Sequence, residues 1–297
     1  MSITEPKNNH LAGLVPVAGQ PLDFNFPWHD SLQPIGKDYL AVERSIIECA
    51  YAGCRTIWVI CHDDMQPLIR YRLGEYIQDP VYMFRNMAPG YVEDTRRPIP
   101  IYYVPIHPKD RDKRDCLAWS VLYGAMAAYY TSTQVSKWVR PHRYYTSFPY
   151  GLYDPELLRE HRKEISSDQS FYLQHEGKTV RDGEYLGFSF TSEEFIKYRR
   201  HLRKTATGDK VKGTTIGAPP TEKLPLEERW SARHFSLDKV FNVATIEDAM
   251  LVNVPWYKKV DSWEGLRAFL SSDKQLEKPK NLLKYHEFNR IGEKIDN

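Results

Sequence analysis

Apolar and polar positions along the chain alternate between two periods, and the clearest switch lies in residues 14–60. A short apolar run (Leu14, Val15, Val17) meets Ala18-Gly19, and a loop carrying Pro21, Pro27 and Pro34 follows. Apolar residues then recur with helical spacing over 39–52, Gly53 stops the pattern, and 56–61 reads as an apolar strand. Strand, loop, helix, strand at this spacing is a βαβ unit, which predicts a parallel sheet with a right-handed crossover. Ligands in such sheets lie beyond the carboxyl ends of the strands, so the loop 19–28 and the segment 61–65 become the candidate site.

The same reading continues downstream. Residues 66–76 predict a short helix, 101–105 a strand, 108–114 a charged loop and 115–130 a long apolar helix. Ala118, Gly124, Ala125, Ala127 and Ala128 give that helix a small-residue surface suited to close packing on a sheet. A strand over 143–148 ends at Pro149-Tyr150-Gly151, and Pro155 opens a helix over 156–165. Short strands follow at 171–174, 178–181 and 185–189, with Asp182-Gly183 as a turn. Then come a helix over 192–202 capped by Ser192, a strand over 256–261 and a helix over 262–270 capped by Ser262. The expected architecture is one α/β domain over 10–270, a Rossmann-like, mostly parallel sheet flanked by helices with a small mixed β/α part near its end. Residues 79–100 and 205–230 read as excursions or loops, and 271–297 as a polar tail.

Charge changes this picture little. The chain has 41 basic and 39 acidic residues among 297, so no global field draws it to nucleic acid or to a membrane surface. The basic run Tyr198-Arg199-Arg200-His201-Leu202-Arg203-Lys204 reads as a solvated helix face, with an anionic partner as the alternative. Cys49, Cys54, Cys61 and Cys116 lack metal-ligand spacing and read as reduced, partly buried thiols. No window has the length and apolarity of a membrane span, and the expected location is the cytoplasm. G-x-S-x-G, H-E-x-x-H, Walker and kinase signatures are all missing from the sequence.

Several short motifs stand in a telling order. They are Val17-Ala18-Gly19, Pro27, Leu32-Gln33-Pro34-Ile35-Gly36, Ala52-Gly53-Cys54-Arg55-Thr56-Ile57, Cys116-Leu117-Ala118, Ser147-Phe148-Pro149-Tyr150-Gly151 and Val260-Asp261-Ser262-Trp263-Glu264-Gly265-Leu266. Over roughly 11–270 this order resembles the sugar-phosphate nucleotidyltransferases, whose fold is of the GT-A, nucleotidyltransferase-like type. The resemblance implies a nucleotide or nucleotide-sugar ligand, Mg²⁺ if the chain is catalytic, and a cleft built from Ala18, Gly19, Gln20, Trp28, Asp63 and Tyr150.

The family's chemistry sets a sugar phosphate against the α-phosphorus of a nucleoside triphosphate. Charge develops on phosphate oxygens, so backbone N–H donors, cations and a metal are needed. Here Gly19 is followed by Gln20, Pro21, Leu22 and Asp23; Pro21 removes a donor and Asp23 adds a negative charge. By the resemblance, the loop arginine falls on Phe24, the motif lysine on Asp30 and the first metal-binding Asp on Tyr150. The second metal Asp is kept as Asp261, with Asp154 as a stand-in for the first and Lys37 as a displaced cation.

The other candidates each have a plainer reading. Lys37 also suits the exposed start of a helix, and Asp261 the entry to the helix behind it. His62-Asp63-Asp64 is either a ligand-contacting cluster or a polar loop. Asp110-Arg111-Asp112 is either a D-x-D metal pair or a solvated turn. Trp28, Tyr144, Tyr145, Tyr150 and Tyr153 either line a cleft or fill a core. Three functions fit these residues. One is a nucleotidyltransferase-like protein that has lost pyrophosphorylase catalysis and serves in binding or assembly, with a protein partner or a second copy of itself. Another is an active divergent transferase using Asp154, Asp261 and Lys37. The third is a GT-A glycosyltransferase using Asp110 and Asp112. The one-way loss of cations and metal ligands favours the first.

Overall fold

The structure, a computed structural model, describes residues 10–19, 29–81, 98–136, 139–208, 222–226, 228–233 and 235–279. Its centre is β1 (Leu11–Pro16), all six residues of which are buried. It lies between two parallel neighbours, β4 (Thr56–Cys61) and β7 (Arg143–Thr146), with Leu14 facing Trp58 on one side and Thr146 on the other. Burial on both faces explains why these strands read as near-continuous apolar runs.

A small hairpin of β2 (Pro34–Gly36) and β3 (Tyr39–Leu40) precedes α1 (Ala41–Tyr51), which is wholly buried. Gly53, at φ 87°, makes the left-handed turn that ends the helix and starts the approach to β4. After β4 come α2 (Gln66–Leu73), β5 (Tyr76–Gln78) and β6 (Pro98–Pro105); β6 runs parallel to β4, and β5 antiparallel to β6. Next are α3 (Pro108–Arg114) and the long α4 (Leu117–Val135). A Cβ on Gly124 would overlap the Ile60 side chain, so the small residues expected on this helix do let it press onto the sheet.

Beyond β7 the chain forms β8 (Gly151–Leu152), the 3-10 turn Pro155–Arg159, α5 (Arg162–Ile165) and β9 (Phe171–Gln174). Then come β10 (Phe188–Thr191), α6 (Ser192–Thr205), α7 (Leu237–Phe241), β11 (Met250–Asn253), β12 (Lys258–Lys259) and α8 (Trp263–Leu270). The main sheet runs β11-β9-β10-β7-β1-β4-β6-β5, while β12 pairs with β8 at the side. The α1 face packs aliphatic residues such as Val42, Ile46 and Ile57, whereas the α4 face is rich in rings, with Phe188 stacked on Tyr172 and Phe190 on Tyr144.

Several local expectations change. The charged loop 108–114 is helix α3, opened by Pro108 and capped by His107 through its ring nitrogen. The helix over 156–165 is a 3-10 turn followed by one α-turn, because Asp154 caps the start and starts a tighter spiral. The strand over 178–181 is a 3-10 turn, Val180–Asp182, in which Thr179 and Asp182 cap one another. The strand over 256–261 shortens to Lys258–Lys259, and the cap of α6 is Thr191 rather than Ser192. Residues 82–97 and 209–221, most of the two expected excursions, lie outside the described residues. The start of the expected tail is packed down, with Leu276 buried and Lys278 3.1 Å from the Glu43 carboxylate. Among the described residues no helix is long and apolar enough to cross a membrane.

Candidate functional site

The carboxyl ends of β1, β4 and β7 meet the amino end of α4. Past β1, the Val17 and Ala18 N–H groups both donate to the Ile60 carbonyl, at 2.8 and 2.7 Å. The Ala18 carbonyl accepts from the Ser120 hydroxyl at 2.5 Å. A Cβ on Gly19 would lie 3.2 Å from the Leu117 nitrogen, so glycine lets the chain leave β1 directly against the first turn of α4. Cys116 caps that turn, its sulfur accepting from the Trp119 N–H at 3.4 Å. The positive end of a 19-residue helix thus faces the start of the loop.

On the β4 side, His62 Nε2 lies 3.0 Å from the Asp115 carboxylate. His29 stands nearby, its ring nitrogen accepting from the Ser31 N–H at 3.2 Å. Burial, and then the neighbouring His62, lower its pKa to about 4. Arg111 reaches across from α3 to Asp63 at 2.5 Å and Asp64 at 3.1 Å. The Cys61 and Cys116 thiols are pushed up to about 12, chiefly by burial, and are not nucleophiles at neutral pH.

The cleft beside this edge has a volume of about 590 Å³. Asp115, Cys116 and Leu117 form one wall, Asp182, Gly183 and Tyr185 a second, and Arg233, Phe235, Ser236, Leu237 and Asp238 with Lys259 and Asp261 the rest. Lys259 Nζ lies 3.2 Å from Asp261 and 5.1 Å from the Tyr185 ring centre. Tyr150 is buried, packed edge-on to Tyr185 at 5.7 Å, and its carbonyl accepts from the Val260 N–H at 2.8 Å. Burial, followed by the charge of Asp30, holds the Tyr150 phenol protonated.

The expected site residues therefore divide. Ala18 and Gly19 are at the strand end, Asp63 is at the rim under Arg111, Tyr150 packs against the cleft wall and Asp261 lines the cleft. Gln20 and Trp28, with Asp23, Phe24 and Pro27, lie outside the described residues. Lys37 lies elsewhere, in a cavity bounded by Gly36, Leu276 and Lys278. Asp154 accepts from the Glu156 N–H and borders a third cavity with Tyr51 and Trp256. Neither lines the cavity that holds Asp261. Asp110 is in α3, paired with Arg114 at 3.3 Å, and positions two apart on a helix do not face one another. Tyr144, Tyr145 and Tyr153 are core residues. The sequence reading missed the His62–Asp115 pair and Lys259. An alternating pattern over 258–261 puts Lys259 and Asp261 on one face and was the available signal for the latter.

A hard divalent cation needs several oxygen ligands around one point. Among the described residues no three acidic, His or Cys side chains form such a group. Tyr150 supplies a buried, protonated phenol where the resemblance implies a carboxylate, and Asp261 is held by Lys259. These residues do not fit the implied Mg²⁺.

No family model matches the sequence, and no similar curated protein is found. Solved structures do match. A putative glucose-1-phosphate thymidylyltransferase from Bacillus anthracis, in complex with a sucrose, superposes with TM-score 0.53 at 9% identity, covering 90% of this chain and 98% of that one. An apo UDP-glucose pyrophosphorylase superposes with TM-score 0.51 at 13% identity, covering 88% and 96%. The chain has a nucleotidyltransferase-like α/β fold, as the motif order implied.

Proposed function

We propose that the chain binds a nucleotide or nucleotide sugar in the cleft between Asp115 and Asp261 and does not carry out metal-dependent pyrophosphorylase transfer, serving instead in binding or assembly. The observation that carries this reading is the pairing of Tyr150, buried and protonated, with an Asp261 already engaged by Lys259. The two structural neighbours, whose names are those of sugar nucleotidyltransferases, support a nucleotide ligand. So do Lys259 and Arg233 in the wall and the helix amino end at Gly19. Fold likeness says where a ligand sits, and the residues say what happens to it.

The test has two arms. Thermal unfolding is followed with nucleoside triphosphates, UDP-glucose and dTDP-glucose, because a ligand at a hundred times its Kd adds about 2.7 kcal/mol of stability. Pyrophosphate release is followed with triphosphate, sugar 1-phosphate and Mg²⁺. Stabilisation without release is expected. Release that disappears in Asp261→Ala overturns the loss of catalysis, and no stabilisation by any of these compounds overturns nucleotide binding.

A further inference from the structure

The basic run that the sequence placed on a solvated face forms part of a second cavity. Arg199 and Arg203 are four residues apart on α6, hence on one face of the helix. Arg114, the last residue of α3, comes up to them, and Arg114, Leu202, Arg203, Ala206 and Trp230 enclose about 280 Å³. Arg199 is pressed below its ordinary range by burial, and then by the charges of Arg203 and Arg114. The carboxylate acting on it is Asp110, which is bonded to Arg114 at 3.3 Å. Arg199 Nε is buried and has no hydrogen-bond partner. Arg114 and Arg203 thus line the hollow together, with Arg199 beside them on the same helix face.

Trp230 supplies the other half of the cavity. Trp230 is 48% exposed although Trp119 is buried beneath Arg114 at 4.8 Å. Its backbone stands at φ 58°, a left-handed conformation that a bulky residue adopts only when its surroundings impose it. Those surroundings are visible: Thr207 N–H donates to the Ser231 carbonyl at 3.2 Å, and Ser231 N–H to the Thr207 hydroxyl at 2.8 Å. Ala232 N–H donates to the Lys113 carbonyl at 2.7 Å, tying the segment to α3. The chain thus holds an exposed indole in place beside like charges that repel one another, an arrangement that costs stability until an anion with a flat face enters.

We propose that this cavity is a second nucleotide site, in which Arg114 and Arg203 hold the phosphates and the Trp230 ring stacks on the base. Guanidinium forks match phosphate oxygens two at a time, and an aromatic face accepts any base. The site adjoins the larger cleft without sharing its lining. Arg114 precedes Asp115, and Trp230 lies three residues before Arg233, so the same two segments present one cavity each side.

Calorimetric titration with ATP and, separately, with inorganic pyrophosphate tests this on the full chain, comparing the wild type with Arg203→Glu and Trp230→Ala. Both side chains are exposed, so the fold is retained, and circular-dichroism melts verify it. Arg203→Glu is expected to weaken both ligands at this site by about tenfold or more, since it reverses a charge-assisted contact. Trp230→Ala is expected to weaken ATP about tenfold and leave pyrophosphate unchanged, because stacking alone is lost. If the larger cleft also takes ATP, one of two binding steps weakens in Arg203→Glu and the other is unchanged; if that cleft takes none, the single step weakens. ATP binding that is unaltered in both variants, or a wild type that binds no ATP at millimolar concentration, overturns the proposal.

Discussion

Glu48 is the residue whose loss should be felt most widely, because it sits with Arg44 at zero exposure inside α1. Its carboxylate lies 2.8 Å from Arg44 Nη2 and accepts from three hydroxyls, those of Ser147 at 2.6 Å, Tyr145 at 2.7 Å and Tyr153 at 2.5 Å. Arg44 in turn donates to the carbonyls of Tyr153 and Phe148, both at 3.3 Å, and lies over the Tyr153 ring at 4.1 Å. Burial works against the guanidinium charge; Glu48 and Tyr153 more than offset it, so that Arg44 stays ionised. In Glu48→Ala that charge remains in the core with no counterion. Removing one partner of a buried pair costs about 3–5 kcal/mol. Orphaned hydroxyls cost about 1 kcal/mol each where they find no new acceptor.

A loss of about 4 kcal/mol is therefore expected from Glu48→Ala. At about 2 °C per kcal/mol for a chain of this size, the melting point falls by about 8 °C. Urea unfolding gives the free energy, and an unchanged m value shows that stability, not the unfolded state, has moved. The double replacement Arg44→Met with Glu48→Leu removes both charges, and it should be less damaging than Glu48→Ala alone. A cost under about 1 kcal/mol for Glu48→Ala, or simple additivity of the two replacements, would mean that Arg44 does not depend on Glu48 for its charge.

Two further outcomes follow from single residues. The folded His29 ring stays neutral down to about pH 4, while the unfolded ring takes a proton near the ordinary histidine value of 6.5. The unfolded state therefore binds more protons between these values. Stability falls as pH drops through that window, by about 2 kcal/mol at pH 5 relative to pH 8. Urea midpoints across this range should show the slope in the wild type and its loss in His29→Gln; equal slopes sink the assignment. In Gly151→Ala the new Cβ overlaps the Tyr185 backbone carbonyl, whereas Gly177, at φ 75°, has nothing within 4 Å of where its Cβ would be. Gly151→Ala should cost about 3 kcal/mol or more and Gly177→Ala about 1 kcal/mol, from backbone strain alone. Equal losses in chemical denaturation would count against the close approach of β8 to Tyr185.

What the sequence made legible was whatever depends on neighbours in the chain. The βαβ unit followed from the switch of apolar period between α1 and β4, and Gly53 marked its turn because only glycine tolerates that φ cheaply. The seam of α4 followed from Gly124 and its alanines, because small side chains have few reasons to recur on one apolar face. Helix α3 was not legible. Seven mostly charged residues are too short to form a helix by themselves, and what stabilises them is His107 at the cap and the tertiary ties of Arg111 and Lys113. The aromatic load was ambiguous for the same reason: nothing local says whether Tyr144 or Tyr150 faces a cavity or another ring.

The candidate site was half legible, and the division has a physical basis. Gly19 and Asp261 carry their position in short motifs, since each sits where a strand gives way to a turn or helix. His62 and Asp115 are 53 residues apart and become partners only when β4 and α4 are laid side by side. Lys37 and Asp154 failed in the opposite way. Both are near the right motifs in sequence, yet the β2–β3 turn carries Lys37 to another cavity, and Asp154 is used up as a cap. A carboxylate whose oxygen accepts from a backbone N–H two residues on is fixed in direction, and Lys37 lines a cavity that shares no residue with the one holding Asp261. The Tyr150 ring is buried against Tyr185, and that contact stabilises the cleft wall.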